Sequence, residues 1–570
     1  MFSLIRRTAL AVVLSSSVAL PGLADVGAGS YLAGRQAIYE SDYKAAERYY
    51  SRALRSNPED RRLLESVLLA RIALGNIEGA LPIAETVAEY DGQAQAASMT
   101  IAATMIANEQ FEEFLALDPE SQGIGPLVDG LMIAWVQIGQ GAMTKAMEQF
   151  DTVAEQEGLR AFAMYHKALA LASVGDFEGA EEVFSEGDAA ASRLSRRAAL
   201  SRVEVLSQLD RNDDALQFIE DVFSAGSDPF IDDYKARLSA GETLPFTHVG
   251  NVKDGVAEVF HSVGAALNNE AAQDYVLLYT RIASYLRPDH IDAVLMSAEL
   301  LENLGQFDLA VEAYRQVPVD SLDYHVAELG RAEVLRRSGK EDAAVEVLES
   351  LAVQQPGLPA VHVALADLQR QQENYAAAVT SYDTAIDLTA QGADASWFLH
   401  YARGISHERL KDWDKAEADF RKALELNPDQ PQVLNYLGYS LVERREKLDE
   451  ALDMIERAVA ARPDSGYIVD SLGWVLFRLG RYDEAVEHME RAAELMAVDP
   501  VVHDHLGDVY WAVGRYREAE FQWKRALSFI DPEDSDGEAD PDRIRRKLEV
   551  GLDVVLEEEG ADPLKVANDG

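Results

Sequence analysis

There is no cysteine in the 570 residues. This excludes disulfides, thiolate metal sites, cysteine nucleophiles and any lipid carried on a thiol, so packing alone must hold the fold. Basic residues are also scarce, with 52 Lys and Arg against 99 Asp and Glu, a formal net charge of −47. No basic run interrupts the acidity, which argues against nucleic acid and anionic membrane as natural partners. Long apolar runs are missing after the first two dozen residues. No later segment therefore reaches the roughly 20 residues needed to span hydrocarbon. The acidity reads either as solubility or as complementarity to a basic partner. What the chain does have is 48% hydrophobic residues, enough to build large buried cores.

The opening stretch MFSLIRRTALAVVLSSSVALPGLA places Arg6 and Arg7 before an apolar run from Ala9 to Leu20 and ends in Gly22, Leu23 and Ala24. That order is the pattern of a secretory signal peptide over 1–24, with export to the periplasm as the expectation. The exported chain would be at most peripherally associated with the envelope. It is not a lipoprotein, since it has no cysteine to acylate.

A small residue recurs ahead of an amphipathic segment at Ala310, Ala344, Ala378, Ala416, Ala451, Ala485 and Ala519, at gaps of 34, 34, 38, 35, 34 and 34. Four residues are inserted around Gln391 to Asp394 and one near Lys447. Each copy reads as helix, short turn, helix, with apolar residues at three- and four-residue steps. In the copy around Ala416, Gly404 lies in the first helix, Ala423 in the second, and Pro428 follows. Gly438, Ala451, Ala458 and Pro463 repeat this order, and Gly473, Ala485, Ala492 and then Gly507, Ala519, Ala526 continue it. The small residues are expected to let two helices approach closely. The bulkier residue four positions after the central alanine, Phe420, Met489 or Trp523, would fill the next gap, and proline would stop the second helix.

These residues resemble the tetratricopeptide repeat, whose 34-residue unit carries this small, large, small, proline signature. The resemblance covers 257–530 well and recurs once earlier, at Gly34, Ala46, Tyr50, Ala53 and Pro58. Weaker units surround Ala80, Ala146, Ala180 and Ala215. The expected fold is an all-α solenoid of helix-turn-helix repeats in two arrays, a divergent one over 25–225 and a regular one over 257–530. Pro229, Pro245 and several glycines make 226–256 an irregular linker between them. An acidic linker over 531–541 leads to a capping helix over 542–558 that covers the last repeat, followed by a flexible tail over 559–570.

Enzymatic patterns were sought in turn. HExxH, GxxxxGK[ST] and GxSxG are all missing. Aligning Gly537 with a calcium-loop glycine puts Pro532 and Arg543 at ligand positions, so 531–541 reads as a solvated linker. His503 with His505, and His400 with His407, are spaced for contacts between units and not for a compact metal site. The expectation is no enzyme, no metal and no cofactor. An unrecognised site hidden in 92–130 or 226–256 is the remote alternative.

The family resemblance further implies that first helices line a concave face. Placed on this chain, the positions that would face the groove are Tyr401 and Glu408, Asn435 and Tyr439, then Tyr467, Asp470, Trp474 and Phe477, then Asp504, Asp508 and Trp511. Aromatics alternate with carboxylates, a composition suited to a protein or peptide partner with apolar and basic features. Trp413 and Trp523 are assigned to packing. The chain is also similar to large bacterial envelope proteins of this repeat family, and weakly to the outer-membrane lipoprotein adaptor of a carboxy-terminal processing protease. The resemblance implies an exported scaffold for envelope protein assembly, maturation or proteolysis. Secretion or polysaccharide export is the alternative, and self-association is left open.

Overall fold

The computed structural model describes residues 26–91, 94–117, 123–186, 195–223, 228–389, 396–530, 539–561 and 564. The expected signal peptide, the insertion at 391–394, most of the acidic linker and most of the tail lie outside these residues. The described residues form 31 α-helices and no strand.

Local sequence explains where helices start and stop. Asp60, Asp228, Asp499 and Asp540 each cap a helix by accepting two backbone N–H groups with the side-chain carboxylate. Within a two-helix unit, the first helix ends on one left-handed residue, and the next amide reaches back to a carbonyl five residues upstream. Arg481 N to Leu476 O, at 2.9 Å, and Arg515 N to Tyr510 O, at 2.8 Å, are examples. Glycine supplies the left-handed residue at Gly75, Gly175, Gly305, Gly339, Gly480 and Gly514. Ser41, Glu109, Asp210, Glu373, Lys411 and Arg445 take the same conformation at the same place in other units. The backbone repeat thus persists where the glycine has been lost.

The chain divides into two compact units, Met1–Leu351 and Ala352–Gly570. This differs from the division expected at 226–256, for two reasons visible in the first unit. The linker is only partly irregular: Pro229–Ser239 is helical, and the extended stretch after it is pinned. Gln208 Nε2 donates to Leu244 O at 2.6 Å, Leu244 N to Ser207 Oγ at 2.9 Å, and Thr247 N to Glu204 at 2.8 Å.

The second reason is that the next two helices, Val252–Leu267 and Gln273–Leu286, fold back onto the preceding array. Gly255 lies so close to the Trp135 indole that a Cβ there would enter the ring. Tyr275 donates its hydroxyl to Gln95 at 2.7 Å, and Arg281 donates Nε to Ala73 O at 3.0 Å. One apolar core therefore runs from Leu64 to Ala293 across the expected boundary.

In the second unit, two-helix pairs stack in chain order from Pro359–Gln371 to Tyr516–Phe529. First helices also touch first helices of neighbouring pairs, as Gly466–Arg478 does with Pro431–Glu443 and Pro500–Ala512. They form one continuous layer. The expected capping helix is two helices, Pro541–Val550 and Leu552–Glu558, broken at Gly551, whose φ is 88°.

Candidate protein-binding face

The layer of first helices in the second unit is set by steric matching to the second helices. A Cβ on Gly404 would stand 2.7 Å from Phe420, and one on Gly438 2.7 Å from Ile455. At Gly473 it would fall on the Met489 thioether and at Gly507 on the Trp523 indole. Ala416, Ala423, Ala451, Ala458, Ala485, Ala492, Ala519 and Ala526 are all fully buried in the second helices. Pro428 and Pro463 are exposed and follow helices that end at Leu426 and Ala461. Trp523 is fully buried, and Trp413 lies under the Arg444 guanidinium.

The expected groove residues separate into two groups. The family pattern puts Asp470, Trp474, Phe477, Asp504, Asp508 and Trp511 on an open groove, whereas in the structure they face neighbouring first helices or the C-terminal helices. Trp474 stacks on His505 at 4.0 Å and on Phe477 at 4.9 Å, and its indole N–H donates to Glu443. Asp470 meets His505 Nδ1 at 3.0 Å. Burial works against the His505 imidazolium, but Asp470, with Asp504 and Asp508 behind it, outweighs burial and raises its pKa.

One repeat later, Asp504 and Asp508 close around the Lys547 ammonium with four N···O distances of 2.6 to 2.9 Å. Arg543 stands 3.6 Å from Asp508. Burial nonetheless pushes the Asp504 carboxyl up, against the pull of Lys547. Trp511 packs over Gly551 and donates its indole N–H to Asp553 at 2.9 Å. The C-terminal helices thus occupy the place a further repeat would take, and the carboxylates at that end meet an intramolecular cation.

The second group stays accessible. Tyr467 is 66% exposed. Tyr401, Asn435 and Tyr439 are half-buried on adjacent helices, and Glu408 is likewise partly open. The Tyr401 ring meets Trp397 at 6.1 Å, Tyr436 at 5.9 Å and Phe420 at 6.1 Å. Asn435 Oδ1 is buried without a hydrogen-bond partner beneath this face. Trp397, Phe398 and Tyr436 belong to the same aromatic patch and were not singled out from sequence. Their signal was the spacing of Trp397 and Tyr401, one turn apart on the helix that carries Gly404.

The histidines are engaged within the repeats. His503 contacts Gln522 and the Ala497 carbonyl, His400 lies 3.2 Å from Asp419, and His407 is buried. The stretch 226–256 contributes His248 and Thr247 to a cluster around Glu204. A larger polar nest links the returning helix to its neighbours. Glu258 accepts from Arg197 at 2.6 Å and from Tyr165 at 2.8 Å, and lies 3.1 Å from His290 Nε2. Glu258 and His290 are at most 1% exposed, so this nest is closed to a substrate. Among the described residues, no group of three or more His, Asp or Glu is placed to hold a metal ion, and no helix is long and apolar enough to cross a membrane.

Family models described as tetratricopeptide repeat match residues 31–99, 295–359, 359–391, 397–430 and 440–500. A TPR repeat-containing protein of Pseudomonas aeruginosa is 36% identical over 83 residues, 15% of this chain and 14% of that protein. The lipoprotein NlpI homolog of Haemophilus influenzae is 39% identical over 87 residues, 15% of this chain and 26% of that protein. The matched stretches therefore span about a quarter or less of these relatives. Among solved structures, the APC/C hetero-tetramer Cut9–Hcn1 aligns over 92% of this chain and 96% of its own at 13% identity, with a TM-score of 0.37. A tetratricopeptide repeat protein of Parabacteroides merdae aligns over 46% of this chain and 98% of its own at 17% identity, with a TM-score of 0.36.

Proposed function

This chain belongs to the tetratricopeptide-repeat family, and we propose that it is a non-enzymatic scaffold whose partner-binding surface is the aromatic face of the helices Trp397–Arg409 and Pro431–Glu443. The observation that carries this reading is the row of half-exposed rings, Trp397, Tyr401 and Tyr439. Aromatic side chains give large contact area at little entropy cost. The net charge of −47 favours a partner with basic as well as apolar side chains.

The finer reading is an exported, periplasmic adaptor for envelope protein assembly, maturation or proteolysis. It is supported by the signal-like residues 1–24 and by local similarity to a lipoprotein. Lipid anchoring does not carry over, because this chain has no cysteine.

The test is photocrosslinking in intact cells from a benzophenone side chain placed at Tyr401, at Tyr439 and, as a control, at Trp511. A discrete partner captured from the first two positions and not from the third supports the assignment. Equal capture from all three, or capture at Trp511 alone, would remove it.

A further inference from the structure

Two arginines of the described residues are less than a tenth exposed, Arg202 and Arg281, each at 8%. They are answered very differently. Arg202 donates Nε and Nη2 to the Glu181 carboxylate at 3.2 and 3.0 Å. Arg281 donates Nε alone, to the Ala73 carbonyl at the end of the Arg61–Ala73 helix. No carboxylate among the described residues comes within ion-pair distance of it. The carboxylate that acts on it most, Glu312, is engaged by Lys44 at 3.1 Å.

A guanidinium carries five N–H donors, and here one is used. Burying such a cation against a single neutral carbonyl is costly, and buried charges are ordinarily paired. Burial depresses the Arg281 pKa to about 10, with Glu312 and Tyr43 offsetting it only in part.

Two further observations concern the surroundings of this guanidinium. The Tyr43 hydroxyl is buried and has no hydrogen-bond partner, and the phenol and the guanidinium act on each other electrostatically. Beside Nη1 stands Gly75, with a φ of 76°. The space its side chain would fill contains no atom nearer than the Arg281 side chain itself, at 4.0 Å.

We propose that Arg281, the Tyr43 hydroxyl and the space beside Gly75 form a binding site for a small oxyanion, a carboxylate or phosphate group. The free Nη donors present the fork geometry that such groups accept, and the phenol adds a third donor. This site lies in the first unit and is independent of the aromatic face in the second.

The experiment is thermal unfolding of the full chain in increasing acetate, and separately in increasing inorganic phosphate, at ionic strength held constant with chloride. Wild type, Arg281→Met and Tyr43→Phe are compared, each first checked for helical content by circular dichroism. A bound anion raises the melting temperature in proportion to ligand occupancy. The expected result is a saturable rise for wild type with at least one anion, a smaller rise for Tyr43→Phe and none for Arg281→Met. Without anion, Arg281→Met should melt no lower than wild type, because the uncompensated cation has gone. A wild-type response no larger than that of chloride overturns the proposal, as does an equal response in Arg281→Met. A less stable, unresponsive Arg281→Met beside an unresponsive wild type would make the guanidinium only a cap for the Arg61–Ala73 helix. Should Arg281→Met not fold, an unchanged response in Tyr43→Phe overturns the site.

Discussion

Lys547 and Asp508 form an ion pair closed to water: Nζ lies 2.6 Å from Oδ1, and the two side chains are 0% and 1% exposed. Asp504 shares the same ammonium, so one cation bridges two carboxylates of a helix 39 to 43 residues upstream. Removing it leaves both to the more distant Arg543 guanidinium, 3.9 Å from Asp504 and 3.6 Å from Asp508. Lys547→Met is expected to cost about 3–5 kcal/mol, the usual penalty for breaking a buried pair from one side. Hydrogen exchange over Leu552–Glu558 is the direct readout, since Leu552 and Val555 are buried only while the cap is docked. Adding Asp504→Leu and Asp508→Asn to Lys547→Met should restore most of the protection. Unchanged exchange in the single variant would show that apolar packing alone holds the cap.

The glycines at the helix crossings make a ranked prediction. Gly473→Ala drives a methyl against the Met489 thioether, and Gly507→Ala drives one against the Trp523 indole. Methionine is flexible and can move aside, whereas Trp523 is fully buried, with its N–H committed to Asp508 at 2.9 Å. Overpacking typically costs about 1–3 kcal/mol. Gly507→Ala is expected near the upper end and Gly473→Ala near the lower. Denaturant titration of both variants checks the order, and the reverse order would mean that the last pair repacks more easily than its geometry implies.

How legible each feature was in the sequence follows from the range of the interaction that fixes it. Gly507 and Trp523 are 16 residues apart, and the same contact recurs between Gly404 and Phe420 and between Gly473 and Met489, so the period exposes it. The left-handed turn was readable at Gly480 and Gly514 but not at Glu373 or Lys411, where the backbone keeps the conformation and the side chain no longer advertises it. The fate of Asp504 could not be read at all. It depends on Lys547, outside the repeat, and without that residue a first-helix carboxylate reads as groove lining. The return of Val252–Leu267 onto Trp135 was hidden for the same reason: an amphipathic helix does not state which earlier surface it will cover. Tyr401, Asn435 and Tyr439 remain half-exposed, and the neighbouring helix sets Tyr436 against Tyr401.

One buried histidine cluster in the first unit and His505 in the second should respond to acid with opposite signs. In the first, burial lowers the pKa of His166 and His290 to about 4, and that of His261 in the same direction. The unfolded chain protonates these histidines near 6.5, so between about 6.5 and 4 it binds more protons than the folded unit and stability falls as pH drops. The two lower values correspond to a loss of up to about 3 kcal/mol each at one pKa unit per 1.36 kcal/mol. Glu258, whose pKa is held down by Arg197 and His290 despite its burial, adds a loss of the same sign below 4.5. In the second unit the folded pKa of His505 is raised, chiefly by Asp470. Its contribution is complete below 6.5 and is lost as pH rises through the folded value. Hydrogen exchange at pH 5 and pH 8, corrected for intrinsic rates, should therefore show Val252–Leu267 better protected at pH 8. Protection of Gly466–Arg478 should be greater at pH 5, and His505→Gln should abolish that second difference while leaving the first intact. Protection changing in the same direction in both helices would contradict the assignment of His505 as a charged partner of Asp470.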